Sequence, residues 1–482
     1  MLGPLIWSLL NAAATVLIPF VLFIVFARTG DAWQVGSVGI AVSIVEILKT
    51  ICPLGLYEIL LRRETTPDEE RASLGLLLVS GSVATIAYMA VIVLIGQYMT
   101  GFDAIVPILL LLAPKLLFDV ASIQPQAALA RQLTFRRLAM RTVIANVIAA
   151  AVGSGLAFLD HALGGLILYY LLQSALSFLL IVRGQNALVR PSIGITPLKI
   201  LFRQAGYSSA VRLLAAINNY ADTLVVSIFV STSLVGTYNL SKRLETVLMS
   251  TSSSFSAIMY QPLFASRAVA ERGRIVENAV RITSLLFGVP VIAFVSFQRD
   301  WIGWIFGSRW LDAAPICALL ALSGLARIYG SIHGSLLSVS SRNGTLLIYV
   351  LCSTVVGLGA VVMYSSSGLI WVAAAIALKS WMFCLVSAYL TRRETEAMAT
   401  LYFRHVLVPL LWFALIGIGA KQAVAAWSPA GLAGIPPSVL AIMLSAAATL
   451  ASILVIYRRD LGRIIMAVRM KIARETPAPG VV

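Results

Sequence analysis

The chain is a succession of apolar runs, each long enough to cross a bilayer. An α-helix rises about 1.5 Å per residue, so roughly 20 apolar residues span a hydrocarbon core of about 30 Å. The first run, Leu5 to Ala27, is too long for the apolar part of a signal peptide and reads as a retained first helix. Similar runs recur at a steady pace to 437–457, continuous rather than alternating, so a membrane β-barrel is excluded. Of all residues, 60% are hydrophobic and 12% charged, against about 25% charged in a soluble domain. The spacing predicts an all-α polytopic membrane protein of about fourteen transmembrane helices. The seventh and eighth, at 207–230 and 234–262, are unusual because they contain charges.

Lys and Arg set the orientation. With the N-terminus in the cytoplasm, the cytoplasmic segments hold 25 of the 36 basic residues, including Arg141, and the opposite side four: Arg28, Arg299, Arg309 and Lys421. Both termini are then cytoplasmic. The net charge of +16 is accounted for by this asymmetry and by anionic lipid, so no nucleic-acid partner is expected. Arg131–Arg141, Pro197–Gln204 and Leu461–Ala473 alternate cations with apolar residues and read as interfacial helices. Cys52, Cys317, Cys352 and Cys384 lie in apolar runs and read as buried small hydrophobes. The three histidines lack ligand spacing, so no metal is expected.

The first half recurs in the second. Val35-Gly36-Ser37 matches Val235-Gly236-Thr237, and the Pro107 segment matches the Pro315 segment. This predicts two six-helix lobes around a central cavity, at 1–183 and 207–390, joined by a cytoplasmic linker at 184–206. Two further helices follow in 391–457, and a basic cytoplasmic tail in 458–482.

Charges at bilayer depth are costly unless paired or facing water. Three pairs have helical spacing and can neutralise themselves: Glu46/Lys49, Lys115/Asp119 and Lys242/Glu245. Arg243, Arg212, Arg327 and Lys379 lack a local partner; Lys379 and Arg212 are expected to snorkel. The surplus is positive, which suits an anionic substrate. Arg suits phosphate in particular, because its planar fork binds two oxygens. The expected substrate-binding cations are Arg243, Lys242, Arg212, Arg327, Lys49 and Arg28. Asn218, Asn219, Asn239 and Tyr238 could bond sugar hydroxyls. No ATP-hydrolysis motif is present, so movement would run on an ion gradient, proton or sodium, or on substrate concentration; no cofactor is expected. Asp222, Asp119 and Glu245 are the coupling candidates.

Three stretches resemble the polysaccharide transporter family, the Wzx-like flippases of lipid-linked oligosaccharides within the multidrug/oligosaccharidyl-lipid/polysaccharide superfamily. They are Phe26-Ala27-Arg28 with Gly36, Leu54-Gly55-Leu56 and Arg62-Arg63; Gln126 to Ala139 (QAALARQLTFRRLA); and Ala221-Asp222-Thr223 followed by Val235 to Leu244 (VGTYNLSKRL). Thr29 to Trp33 departs from the family's usual Leu-Ser/Gly-Pro turn. The resemblance implies a non-enzymatic flippase in a bacterial inner membrane. Its substrate would be an undecaprenyl-pyrophosphate-linked repeat unit for exopolysaccharide, capsule or O-antigen, moved by alternating access. Membrane lipid, a polysaccharide polymerase and export proteins would be its partners. A lipid II flippase shares the helix count and cavity cations. A cation-coupled multidrug exporter should have an acidic cavity instead. A membrane-embedded sugar polymerase would need carboxylates in extra-membrane loops.

Overall fold

A computed structural model of the protein describes residues 2–53, 56–62, 66–98, 103–132, 134–183, 191–192, 206–255, 264, 269–340, 342–392, 398–427 and 436–456. Among these there are helices and turns and no strand. The first half contains α1 (Leu2–Thr29), α2 (Ala32–Ile51), the short α3 (Leu56–Arg62), α4 (Pro67–Tyr98), α5 (Val106–Ala121), α6 (Ile123–Arg131), α7 (Phe135–Phe158) and α8 (Ala162–Val182). The second contains α9 (Gly206–Phe229), α10 (Thr232–Phe255), α11 (Val269–Thr283), α12 (Val289–Ser296), α13 (Gln298–Ile305), α14 (Ala314–Val339), α15 (Asn343–Tyr364) and α16 (Leu369–Leu390). Then come α17 (Met398–Tyr402), α18 (Val408–Trp427) and α19 (Pro437–Ile456).

Eleven of the described helical segments are long and apolar enough to cross a membrane. Helices also stand at the other three places where spans were expected, α1, α9 and α10. Two of these carry shorter apolar stretches, Ala14–Thr29 in α1 and Leu213–Phe229 in α9. The outward faces expose large apolar side chains such as Ile86, Val355, Leu378 and Leu415. A face of that kind is stable against lipid rather than water. This is a multi-pass membrane protein.

Two local features differ from expectation for clear reasons. The unusual Thr29–Trp33 stretch is a helix start. Asp31 Oδ1 accepts from the Gln34 backbone N–H at 2.8 Å, and Gln34 Oε1 accepts from the Asp31 N–H at 3.3 Å. This reciprocal cap is worth roughly 1 kcal/mol and fixes where α2 begins. The sequence predicts one span over 35–60, and it is broken: α2 ends at Ile51, a turn follows at Cys52–Pro53, where proline has no N–H to continue the ladder, and α3 is a separate short helix.

The Arg131–Arg141 stretch is not one interfacial helix. It is the end of α6 and the start of α7, with Arg131 paired to Glu70 of α4. Pro197–Gln204, Leu461–Ala473 and the tail 458–482 lie outside the described residues. Of the cysteines, Cys317 and Cys384 are buried, Cys52 is half-buried and Cys352 is exposed.

The internal repeat has a structural counterpart. Pro107 and Pro315 both stand in the first turn of their helices, α5 and α14, where proline's missing N–H costs nothing. Gly36 and Gly236 meet each other's helices reciprocally. A Cβ on Gly36 would lie 2.0 Å from the Thr232 carbonyl oxygen, and one on Gly236 would lie 1.8 Å from that of Ala32. Only glycine lets the first turns of α2 and α10 touch backbone to backbone. The same end of the bundle is sealed by Phe23, Val35, Leu240, Phe306 and Trp310. Trp310 Nε1 donates to the Ala27 carbonyl at 2.8 Å, and Arg309 to that of Arg28 at 2.7 Å.

The last helices pack on the second half. Leu401, Tyr402, Val406 and Leu410 share a core with Val280, Phe287 and Val291. A π-helical turn interrupts each partner, at Ser284–Gly288 and at Phe403–Leu407, and each is followed by Val-Pro. Proline lacks the N–H that a regular ladder needs, so a widened turn ahead of it absorbs the defect. The two widened turns meet where Ser284 donates to the His405 carbonyl at 2.6 Å.

Candidate functional site

A cavity of about 690 Å³ is lined by residues from both halves of the chain. Its wall includes α1, α2, α5, α7, α8, α9, α10 and α14. It runs along α2 from Val35, beside the Gly36–Gly236 contact, to Lys49, and along α10 from Asn239 to Ser250. The face that α10 presents is Asn239, Lys242, Arg243, Thr246 and Ser250. On α2 the lining runs from Val35, Val38 and Val42 to Glu46 and Lys49, apolar near the seal and charged farther in. Both series follow the helical repeat of three and four residues.

The first half contributes a closed set of four charges. Lys115 Nζ donates to Glu46 at 2.9 Å and to Asp119 at 2.5 Å. Lys49 Nζ reaches Glu46 at 3.2 Å and Asp119 at 3.5 Å. The two self-paired sets expected from spacing are therefore one cluster spanning α2 and α5, with each carboxylate shared between two ammonium groups.

The second half pairs differently from expectation. Lys242 does not pair with Glu245. It binds Asp222 of α9 and the Asn219 carbonyl. Glu245 instead accepts from Arg327 of α14 at 3.0 Å and from Ser323 at 3.0 Å. Arg327 also donates to Asn219 Oδ1 at 2.6 Å. The i, i+3 spacing put Lys242 and Glu245 near one another, but residues across the helix interface offered each a better-placed partner. Arg327, expected to be unpaired, is paired.

Of the cations lining the cavity, two lack a carboxylate partner among the described residues. Arg243 donates to the Tyr170 hydroxyl, and its guanidinium lies 5.1 Å from the centre of the Phe23 ring. Arg141, in the second turn of α7, has Nε and Nη1 buried with no hydrogen-bond partner. Six cations line the cavity: Lys49, Lys115, Arg141, Lys242, Arg243 and Arg327. Four carboxylates oppose them: Glu46, Asp119 and Glu245 in the wall, and Asp222 behind Lys242. The surplus is Arg141 and Arg243. A buried guanidinium with free N–H groups is strongly stabilised by an anion that accepts from both edges of its fork.

The remaining expected residues separate. Asn219 and Asn239 line the cavity; the Asn239 Nδ2 is buried without a partner, close over Gly39. Asn218 lines a smaller adjoining pocket. Tyr238 is fully buried, and its hydroxyl donates to Asp222 at 2.7 Å, so it cannot touch a sugar in the cavity. Arg28 is exposed outside the cavity. It caps the carbonyls of Trp304 and Ile305 at the sealed end. The side chain of Arg212 lies outside the described residues. Lys379 does not snorkel; it is buried against Asn218. Asp119, Asp222 and Glu245 are all held by cations.

Sequence reasoning missed Arg141 and Tyr170 in the cavity wall. Arg141 was hidden among the basic residues that set orientation. A signal was present, since Thr142 and Asn146 continue a polar stripe into an apolar helix and both line the cavity.

Residues 32–315, more than half of the chain, match the family described as polysaccharide biosynthesis protein. The chain belongs to that family. It is thus a member of the multidrug/oligosaccharidyl-lipid/polysaccharide superfamily, and two of the three resembling stretches, Gln126–Ala139 and Ala221–Leu244, fall inside the match. The teichuronic acid biosynthesis protein TuaB of Bacillus subtilis (strain 168) is 24% identical over 76% of this chain and 77% of its own length. The lipopolysaccharide biosynthesis protein WzxC of Escherichia coli (strain K12) is 22% identical over 70% of this chain and 69% of its own. The fold of this family member is shared with the lipid II flippase MurJ in an inward closed conformation, at a TM-score of 0.71 and 12% identity over 95% of this chain and 98% of that one. It is shared too with an inward-facing MATE transporter, at a TM-score of 0.62 and 16% identity over 80% and 96% of the two chains.

Proposed function

We propose that the protein is a flippase. It moves an undecaprenyl-pyrophosphate-linked oligosaccharide repeat unit from the cytoplasmic to the periplasmic leaflet, for exopolysaccharide, capsule or O-antigen synthesis. The observation that carries this reading is the cavity's cationic surplus, Arg141 and Arg243, half-buried and free of carboxylates among the described residues. A diphosphate supplies the anion that these two guanidiniums lack, and Asn219, Asn239 and Gln173 offer amides to the first sugars. The size of the cavity admits a head group while the polyprenyl tail remains in lipid.

The asymmetry of basic residues supports a reading in which the C-terminal ends of α2 and α10, and both termini, face the cytoplasm, in a bacterial inner membrane. The cavity then faces the cytoplasm, and the Gly36–Gly236 contact closes the periplasmic side. Alternating access requires that contact to part while the two six-helix units, 1–183 and 207–390, close at the other end. Fourteen spans give this arrangement, with α17–α19 as an addition to the two units. Polysaccharide polymerase and export proteins receive the product. No cofactor takes part; the protein transports and does not catalyse.

The test is complementation of a flippase-deficient bacterial strain. Arg243→Ala is expected to express normally and to leave surface polysaccharide absent. Full restoration by that variant contradicts the reading. A second reading, lipid II transport, shares the diphosphate chemistry and the fold. Rescue of cells depleted of their lipid II flippase, without rescue of surface polysaccharide, would favour it.

A further inference from the structure

Beside the main cavity lies a second, much smaller one of about 20 Å³. It is lined by Asn218, Asp222, Glu245, Arg327, Gly357 and Lys379 among others. It is large enough for a water-sized group and far too small for a sugar. Lys379 of α16 reaches into it and is 9% exposed. Its ammonium rests over Gly357, where a Cβ would lie 3.0 Å from Nζ. Its one hydrogen bond among the described residues is long, 3.4 Å to Asn218 Oδ1. No carboxylate forms an ion pair with it among the described residues. A buried ammonium in that condition is costly.

The charged groups around it are arranged for an exchange. Asp222 of α9 and Glu245 of α10 both line the small pocket, so Lys379 shares it with two carboxylates. Each carboxylate is already held, Asp222 by Lys242 and Glu245 by Arg327. Those two cations also line the main cavity, beside Arg243. Glu245 and Arg327 border both spaces. An anion in the main cavity competes with Asp222 and Glu245 for Lys242 and Arg327. Success would leave a bare carboxylate at bilayer depth, which is strongly unfavourable.

We propose that Lys379 is a resident counter-cation: when an anion in the main cavity draws Lys242 and Arg327 toward it, Lys379 moves onto the carboxylates they release. The protein thereby carries its own cation where an alkali ion would otherwise be needed. This rests on the reading of the main cavity as a diphosphate site. Substrate binding is then independent of sodium, and it reorganises contacts among α9, α10, α14 and α16 within the second half. Lys379 is a positioning residue, acting through Lys242 and Arg327 rather than touching the ligand.

The test uses the purified full-length protein in detergent, with farnesyl diphosphate as the probe and calorimetry as the readout. Wild type is expected to bind equally in sodium chloride and choline chloride. Lys379→Met is expected to weaken binding about tenfold. Adding Glu245→Gln to that variant should recover part of the loss, because one of the two carboxylates is then no longer left bare. A merely structural lysine predicts the opposite, two losses that add. Unchanged binding by Lys379→Met, additive losses in the double variant, or several-fold tighter wild-type binding in sodium each overturn the exchange and leave the diphosphate reading standing. Absence of saturable probe binding by wild type overturns both. The sodium comparison needs no variant and holds even if Lys379→Met does not fold.

Discussion

The two halves of the cavity wall hold similar numbers of charges but use them differently. In the first half, Glu46, Lys49, Lys115 and Asp119 form a closed square in which every charge has two opposite neighbours. In the second, Asp222 and Glu245 each take one cation, while Arg243 and Lys379 are left without a carboxylate among the described residues. A closed set has nothing to gain from a ligand; an incomplete one has. On the proposed reading, the first half has a structural role and the second binds the anion. Arg141 of α7 is the exception, a free cation contributed by the first half.

The largest expected effect comes from breaking the closed square. The side chain of Lys115 is 3% exposed, so Lys115→Met strands two carboxylates with one remaining partner. A loss of about 3–5 kcal/mol is expected, read as a fall in thermal unfolding midpoint and in folded yield. Next is the sealed end. Gly236→Ala places a methyl where the Ala32 carbonyl stands, so α2 and α10 must separate. A cysteine placed at Ser43 should then become accessible to a membrane-impermeant thiol reagent from the periplasmic side; continued protection would mean the contact is not the closure.

Arg243→Gln should be smaller still in free energy and opposite in kind. It removes no carboxylate's partner, so the unfolding midpoint should hold while diphosphate binding weakens about tenfold, or ~1.4 kcal/mol. The smallest effect belongs to Lys49→Met. Its side chain is 36% exposed, and Lys115 still serves both carboxylates, so under about 1 kcal/mol of stability is expected. Equal losses for Lys49→Met and Lys115→Met would erase the distinction drawn between buried and exposed members of the square.

Much of this was legible in the sequence, and the boundary has a physical basis. Helix rhythm follows from lipid demanding continuous apolar runs, and the Gly36/Gly236 match was visible because a two-fold contact repeats its requirement. Pairs within one helix, Lys115/Asp119 and Glu46/Lys49, were readable from spacing. Pairs between helices were not. Spacing says that Lys242 and Glu245 share a face, but not that Asp222 and Arg327 come opposite them. Arg141 was misplaced for a related reason: near a span's end, a lumen-facing arginine and a cytoplasmic one look alike in sequence. Arg28 erred the other way, since a cation beside a family motif turned out to cap carbonyls at the sealed end. The burial of Tyr238 and Lys379 depended on the packing of α9, α14, α15 and α16, which no local pattern encodes.

The central claim is that two uncompensated guanidiniums in a membrane cavity hold the diphosphate of a lipid-linked glycan during its passage. It is tested most directly in proteoliposomes containing a fluorescent undecaprenyl-diphosphate-linked oligosaccharide, by the rate at which the labelled head group changes leaflet. Wild type should move it, and Arg141→Gln/Arg243→Gln should not, at an unfolding midpoint equal to that of wild type. Movement at the wild-type rate by that double variant would contradict the account.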